Sequence, residues 1–250
     1  VAADPLLRHK SLYLNVPFFL ARSAFYFGVW LLLSHLQVRW SRELDQGRNY
    51  LKASRRLQGL GGAGLLLMGL TITFSAVDWA MSLNPHWFST VYGVLFMIGQ
   101  ALSAMSFIIV CVARIGGEAP LAAVLRKEQV HDLGKLMLAF VMLWAYISFT
   151  QFLIVWGGNL PEEVPFYIQR LQGGWQYLAL ALALFHFALP FAVLLSRDLK
   201  RNAGMLAGVA GLVLAIRVVD VCWLVAPDLA GHHARGAPGL HPHWLDLAAL

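Results

Sequence analysis

The sequence predicts an all-α, polytopic transmembrane helical bundle with six spans, and three observations predict it. Six apolar stretches reach the roughly 20 helical residues that a hydrocarbon core requires. Of the 250 residues, 59% are hydrophobic and only 13% are charged, and mean hydropathy is +0.64. Lys and Arg, finally, alternate in number from one inter-span loop to the next. A soluble domain carries about a quarter charged residues, so lipid is the solvent this composition matches. Lipid offers the backbone no hydrogen bonds, which leaves helices as the natural spanning elements.

The spans fall at about Leu14–Val38, Leu57–Asp78, Phe88–Ala113, Lys135–Gly157, Gly174–Ser196 and Gly204–Ala226, within a single membrane domain covering 1–250. Gly59, Gly61, Gly62, Gly64 and Gly69 line the second span. Small residues let helices approach closely in lipid, so this span is expected to be a buried bundle helix. Trp79, Trp87 and Tyr92 around the next turn suit an interfacial aromatic belt. The connection Asn159–Gln172 carries Pro161-Glu-Glu-Val-Pro165. It either presents acidic groups to an extramembrane partner or is a solvated loop with turn prolines.

Orientation follows from the loop charges. The loop after the first span holds six Lys or Arg, that after the third four and that after the fifth three, against four in all on the opposite side (Arg8, Lys10, Arg170 and Arg235). By the positive-inside rule the 39–56, 114–134 and 197–203 loops face the cytoplasm, and both ends of the chain are extracytoplasmic. The net charge of +6 is therefore topological. It forms no extended basic stripe, which argues against nucleic acid as a partner. The chain opens at Val1 without a Met or a signal-peptide pattern and turns apolar again at Leu245–Leu250. Both features lead us to expect a longer subunit, with a further portion before and another helix after.

Ionisable groups in apolar spans cost about 2.5–3.5 kcal/mol at a helix centre, so each is a functional candidate. Here they are Arg22, Asp78, His186, Arg217 and Asp220. At 1.5 Å per residue Arg22 lies about 12 Å below the outer end of its span. Asp78 falls at the outer boundary, and Arg217 and Asp220 in the outer half of the sixth span. Arg217 and Asp220 are three residues apart and share a helical face, and Gln151 near the outer end of the fourth span can join them. This common depth predicts an outer-half polar cavity suited to a quinone head group or to proton passage. The other reading is a salt-bridged lock between helices.

His186 sits mid-membrane, four residues before Pro190. It suits a proton relay, a quinol hydrogen-bond partner or a helix–helix hydrogen bond. A proton conduit would continue through it to His35, His131 and Asp132. His35 and His186 are far apart in depth, which argues against a bis-His haem. Cys111 and Cys222, the two cysteines, cannot build a Cys-ligated cluster alone. No redox metal or metal ligand set is expected in this chain.

Longer motifs carry a resemblance. They are SAVDWAMSLNPHWFST (Ser75–Thr90), LGKLMLAFVMLWAY (Leu133–Tyr146), SFTQFLIVW (Ser148–Trp156), GNLPEE (Gly158–Glu163), GGWQ (Gly173–Gln176), HFALPF (His186–Phe191), LSRDLK (Leu195–Lys200), RVVD (Arg217–Asp220) and WLVAP (Trp223–Pro227). Over about Leu12–Leu247 the chain resembles the ActF membrane subunits of bacterial alternative complex III, in the NrfD-like, polysulfide-reductase-membrane-subunit-like family.

The resemblance implies a multi-pass subunit of the bacterial cytoplasmic membrane within a respiratory quinol:cytochrome c oxidoreductase. Its partners there are a second NrfD-like subunit, an extracytoplasmic iron–sulfur subunit and haem c subunits, with a terminal oxidase downstream. The clusters and haems belong to those partners, and quinone or quinol is the one small molecule expected near this chain. Members have about ten spans, so the six here imply an incomplete C-terminal portion. The family's quinol site is assigned mainly to the other NrfD-like subunit, which leaves proton movement or assembly to this one. Asp78 and His86 fall on the family's outer-turn motif, and Arg217 and Asp220 on its last-helix motif. The remaining alternative is a scaffold that anchors extramembrane subunits and has no site of its own.

Overall fold

The computed structural model describes Ser11 and residues 13–47, 50–119 and 121–233. Arg8, Lys10, Arg48, Arg235 and the apolar Leu245–Leu250 stretch, used above for topology and extent, lie outside the described residues. Six helices are long and apolar enough to cross a membrane: α1 (Val16–Asp45), α2 (Tyr50–Trp79), α3 (Tyr92–Ile115), α4 (Lys127–Gly158), α5 (Trp175–Leu194) and α6 (Ala203–His233). The chain is a multi-pass membrane protein. α1, α2, α4 and α6 run past the apolar windows read from the sequence, because a helix continues into polar residues once its ends reach water.

Local chemistry sets the ends. Asn15 caps α1 by accepting the Phe18 N–H at 2.8 Å, with Pro17 in the first turn where a missing N–H costs nothing. α4 stops at Asn159, which adopts the left-handed conformation at φ 46°. Gly173 and Gly174, at φ 62° and 101°, turn the chain into α5.

The chain divides into two compact units, Val1–His86 and Trp87–Leu250. In the first, α1 packs on α2 and the contact is largely polar and aromatic. Trp30 Nε1 donates to Thr71 Oγ1 at 2.8 Å and Trp79 Nε1 to Ser23 Oγ at 3.0 Å, while Phe27 stacks on Trp79. In lipid such hydrogen bonds replace the missing hydrophobic drive. The glycine-lined face of α2 differs from expectation. A Cβ built on Gly59, Gly61 or Gly62 would meet nothing within 4 Å, and one on Gly64 would meet Leu33 of α1 at 3.6 Å, so within this unit α1 covers the stretch only at Gly64.

In the second unit α3, α4, α5 and α6 form a ring, each packing on the next and α6 returning to α3. The inward stripes keep heptad spacing. Gly134, Met137, Val141, Trp144, Gln151 and Val155 are buried on α4, and Leu206, Ala210, Val213, Arg217, Asp220 and Leu224 on α6. Alternating steps of three and four hold one seam toward the partner helices.

α5 breaks the rule. Its buried residues Leu182, His186, Pro190 and Leu194 are four apart, and Leu182–Ala188 is a π-helix. Pro190 has no N–H for the His186 carbonyl and its ring crowds that carbonyl, and widening to π spacing relieves both.

Trp87 and Tyr92, expected in an interfacial belt, are instead 4% and 1% exposed. Trp87 stacks on Phe166 with centroids 4.0 Å apart, and Tyr92 meets Trp87 edge-on. Phe166 belongs to a short helix, Pro165–Arg170, inside the 159–172 connection.

Candidate functional site

The predicted residues resolve into two ion-paired groups, one in each unit. In the first unit Arg22 grips Asp78 with two hydrogen bonds, Nε to Oδ2 at 2.8 Å and Nη2 to Oδ1 at 3.0 Å. Tyr26 donates to the same carboxylate at 2.7 Å. Burial, followed by the Asp78 carboxylate, pushes the Tyr13 phenol up to about 12. The Arg22 guanidinium also lies over the Tyr13 and Phe18 rings at 3.8 and 4.4 Å. Asp78 thus has every oxygen engaged, the geometry of a lock. His86, on the turn after α2, is exposed.

In the second unit Arg217 and Asp220 form the intrahelical ion pair that their spacing predicts, both buried. Two further residues join them. Trp144, across the bundle on α4, donates its indole N–H to Asp220 Oδ2 at 3.0 Å. Its ring meets His186 nearly perpendicularly, centroids 4.2 Å apart. The backbone leaves room for the arginine only because α3 carries Gly99 beside it, where any Cβ would fall on the Arg217 guanidinium. One polar cluster therefore draws on α4, α5 and α6, with α3 shaped to admit it.

Beside this cluster lies a cavity of about 630 Å³. Aromatic and aliphatic side chains make most of its wall, including Phe149, Phe152, Phe166, Trp223 and Leu224, and polar atoms enter mainly through Gln151, Ser148 and Asp220. Ligand sites commonly have about this size, a mostly apolar lining and a few convergent polar groups. Gln151 is 2% exposed and its Oε1 has no hydrogen-bond partner among the described residues. The same holds for Ser148 Oγ, both His186 ring nitrogens and Arg217 Nη2. Each such buried atom costs about 1–3 kcal/mol unless a ligand or an ordered water meets it, and five lie around this one cluster. Tyr146 and Phe149, which also line the cavity, are 64% and 61% exposed, so it opens on an apolar outer face of this unit. Tyr167, on the short helix, completes the wall, and burial pushes its phenol up, which keeps it a proton donor.

Among the expected residues, Gln151 and Asp220 line this cavity, Arg217 and His186 belong to the cluster with Asp220, and Arg22 and Asp78 belong to the other unit. From Trp144 toward His131 the inward face of α4 is Val141, Met137 and Gly134, an apolar stretch. Asp132 is exposed and pairs locally with Lys135 at 2.9 Å, and His35 is exposed on α1. Among the described residues no three His, Cys, Asp or Glu side chains gather to hold a metal ion.

Sequence reasoning missed a third buried pair. Arg170, counted above as a loop charge, is 0% exposed and bonded to Asp228. It lies outside every apolar window. The signal was in α6, where Asp228 follows Arg217 by eleven residues, three helical turns, and so shares its face. Trp144 was equally legible as a polar-tipped residue on the α4 seam.

Comparison of the sequence with protein-family models and with curated proteins finds no match.

Proposed function

We propose that the chain is an NrfD-like membrane subunit of a quinol-oxidising respiratory complex in the bacterial cytoplasmic membrane, and that the second-unit cavity receives a quinol head group. The observation that carries this reading is the buried, unpartnered Gln151 Oε1 in an apolar cavity shared with the Asp220 carboxylate. A quinol is a lipid-soluble molecule with hydroxyl donors at both ends of its ring. Gln151 supplies an acceptor for one hydroxyl, and Asp220 a proton acceptor for another. The mouth near Tyr146 and Phe149 suits entry from lipid.

In this mechanism one quinol hydroxyl breaks its O–H bond and gives up that proton as oxidation begins. An iron–sulfur or haem c partner subunit would supply the electron acceptor. The Asp220 carboxylate takes a proton, Arg217 balances its charge beforehand, and Trp144 fixes the carboxylate's orientation. Aromatic walls exclude bulk water from the reacting oxygens.

Gln151→Leu preserves volume and removes the acceptor. Losing one such hydrogen bond costs about 1–2 kcal/mol, so the quinol KM of the assembled complex should rise roughly five- to thirty-fold. An unchanged KM would remove the head group from this cavity. A scaffold reading is favoured by one observation, the Arg22–Asp78 and Arg170–Asp228 pairs, each of which ties one helix to another, as paired charges do in lipid.

A further inference from the structure

The buried Arg170 ties together two walls of the cavity. The short helix Pro165–Arg170 contributes Phe166 and Tyr167 to the lining, and α6 contributes Trp223 and Leu224. Between them sits the Arg170 guanidinium, fully buried. Nε donates to the Trp223 carbonyl at 3.2 Å, Nη2 to the Leu224 carbonyl at 2.6 Å and to Asp228, and Nη1 to the Phe166 carbonyl at 2.9 Å. Its Cζ lies 3.5 Å from the Phe166 ring centroid.

Pro227 explains why α6 accepts this fork. A proline inside a helix offers no N–H to the carbonyl four residues earlier, which here is Trp223. Arg170 supplies the missing donor from outside the helix. The guanidinium has several N–H groups in one rigid plane, so a single side chain can satisfy two consecutive carbonyls and a carboxylate. An ammonium on a flexible stem cannot hold that arrangement.

We propose that Arg170 is a positioning residue: by bonding the Pro227-interrupted stretch of α6 it docks the Pro165–Arg170 helix and so fixes the Phe166–Tyr167 wall against the Trp223–Leu224 wall of the cavity. The docking itself is independent of what the cavity holds. Its kinetic consequence rests on the quinol reading above.

The test uses Arg170→Gln, Arg170→Lys and Asp228→Asn in the assembled complex, with two readouts. Hydrogen–deuterium exchange of the backbone amides of residues 166–170 should speed up at least about tenfold in Arg170→Gln, less in Arg170→Lys and Asp228→Asn, while the centres of α3 and α4 stay at the native rate. Quinol KM should rise in the same order with kcat within a factor of two of native, a split that general loss of folded protein does not produce. Faster exchange with an unchanged KM upholds the docking role and counts against the quinol reading alone. Native exchange at 166–170 in Arg170→Gln overturns the proposal whatever the kinetics. Should Arg170→Gln fail to accumulate, Arg170→Lys decides in its place: native exchange and native KM there would equally overturn it.

Discussion

Asp220→Asn is expected to be the most damaging single change in the second unit, lowering both stability and quinol turnover. The substitution leaves the Arg217 guanidinium buried beside Gly99 without its counter-charge. Breaking a buried pair by removing one partner costs about 3–5 kcal/mol, read as a lower melting temperature of the detergent-solubilised complex. Loss of a proton acceptor typically removes a further 10²–10⁴-fold of rate. The two effects separate in the double variant Arg217→Met with Asp220→Leu. Replacing both charges by apolar groups of similar volume is often neutral or stabilising, so the fold should return while turnover stays low. A double variant that is both stable and fully active would make the pair a lock and nothing more.

Asp78→Leu should instead be a stability defect without a chemical one. Its carboxylate receives two hydrogen bonds from Arg22 and one from Tyr26. Removing it strands a cation and the Tyr26 hydroxyl at the joint between α1 and α2. Arg22 keeps some access to water and its stacking on Tyr13 and Phe18, which places the loss near the lower end, about 3 kcal/mol. Thermal melting and yield should both fall, and quinol turnover per intact complex should not change. Reduced turnover at a native melting temperature would restore Asp78 as a proton acceptor.

These two outcomes follow from what the sequence made legible and what it hid. Six spans were plain from apolar length alone, and the Arg217–Asp220 pair followed from i, i+3 spacing. Arg170 and Asp228 escaped because window reading treats residues beyond an apolar run as loop, whereas the chain folds the 165–170 segment back onto α6. The π-helix around His186 was half visible in Pro190, which predicts a local defect but not its form. Trp87 and Tyr92 look like belt residues by composition. Their burial depends on Phe166, more than 70 residues further along the chain, and no local pattern encodes that contact. The cavity was the least legible feature, since it arises where aromatic side chains from α4, α5, α6 and the short helix leave space beside Gln151 and Asp220.

A quinol head group in that space is what photolabelling reads directly. A purified, assembled complex illuminated with an azido-quinone should carry the label on peptides spanning 144–152 of α4 and 220–224 of α6, with excess native quinol suppressing it. Labelling confined to other subunits, or label on this chain that quinol does not displace, would contradict the account.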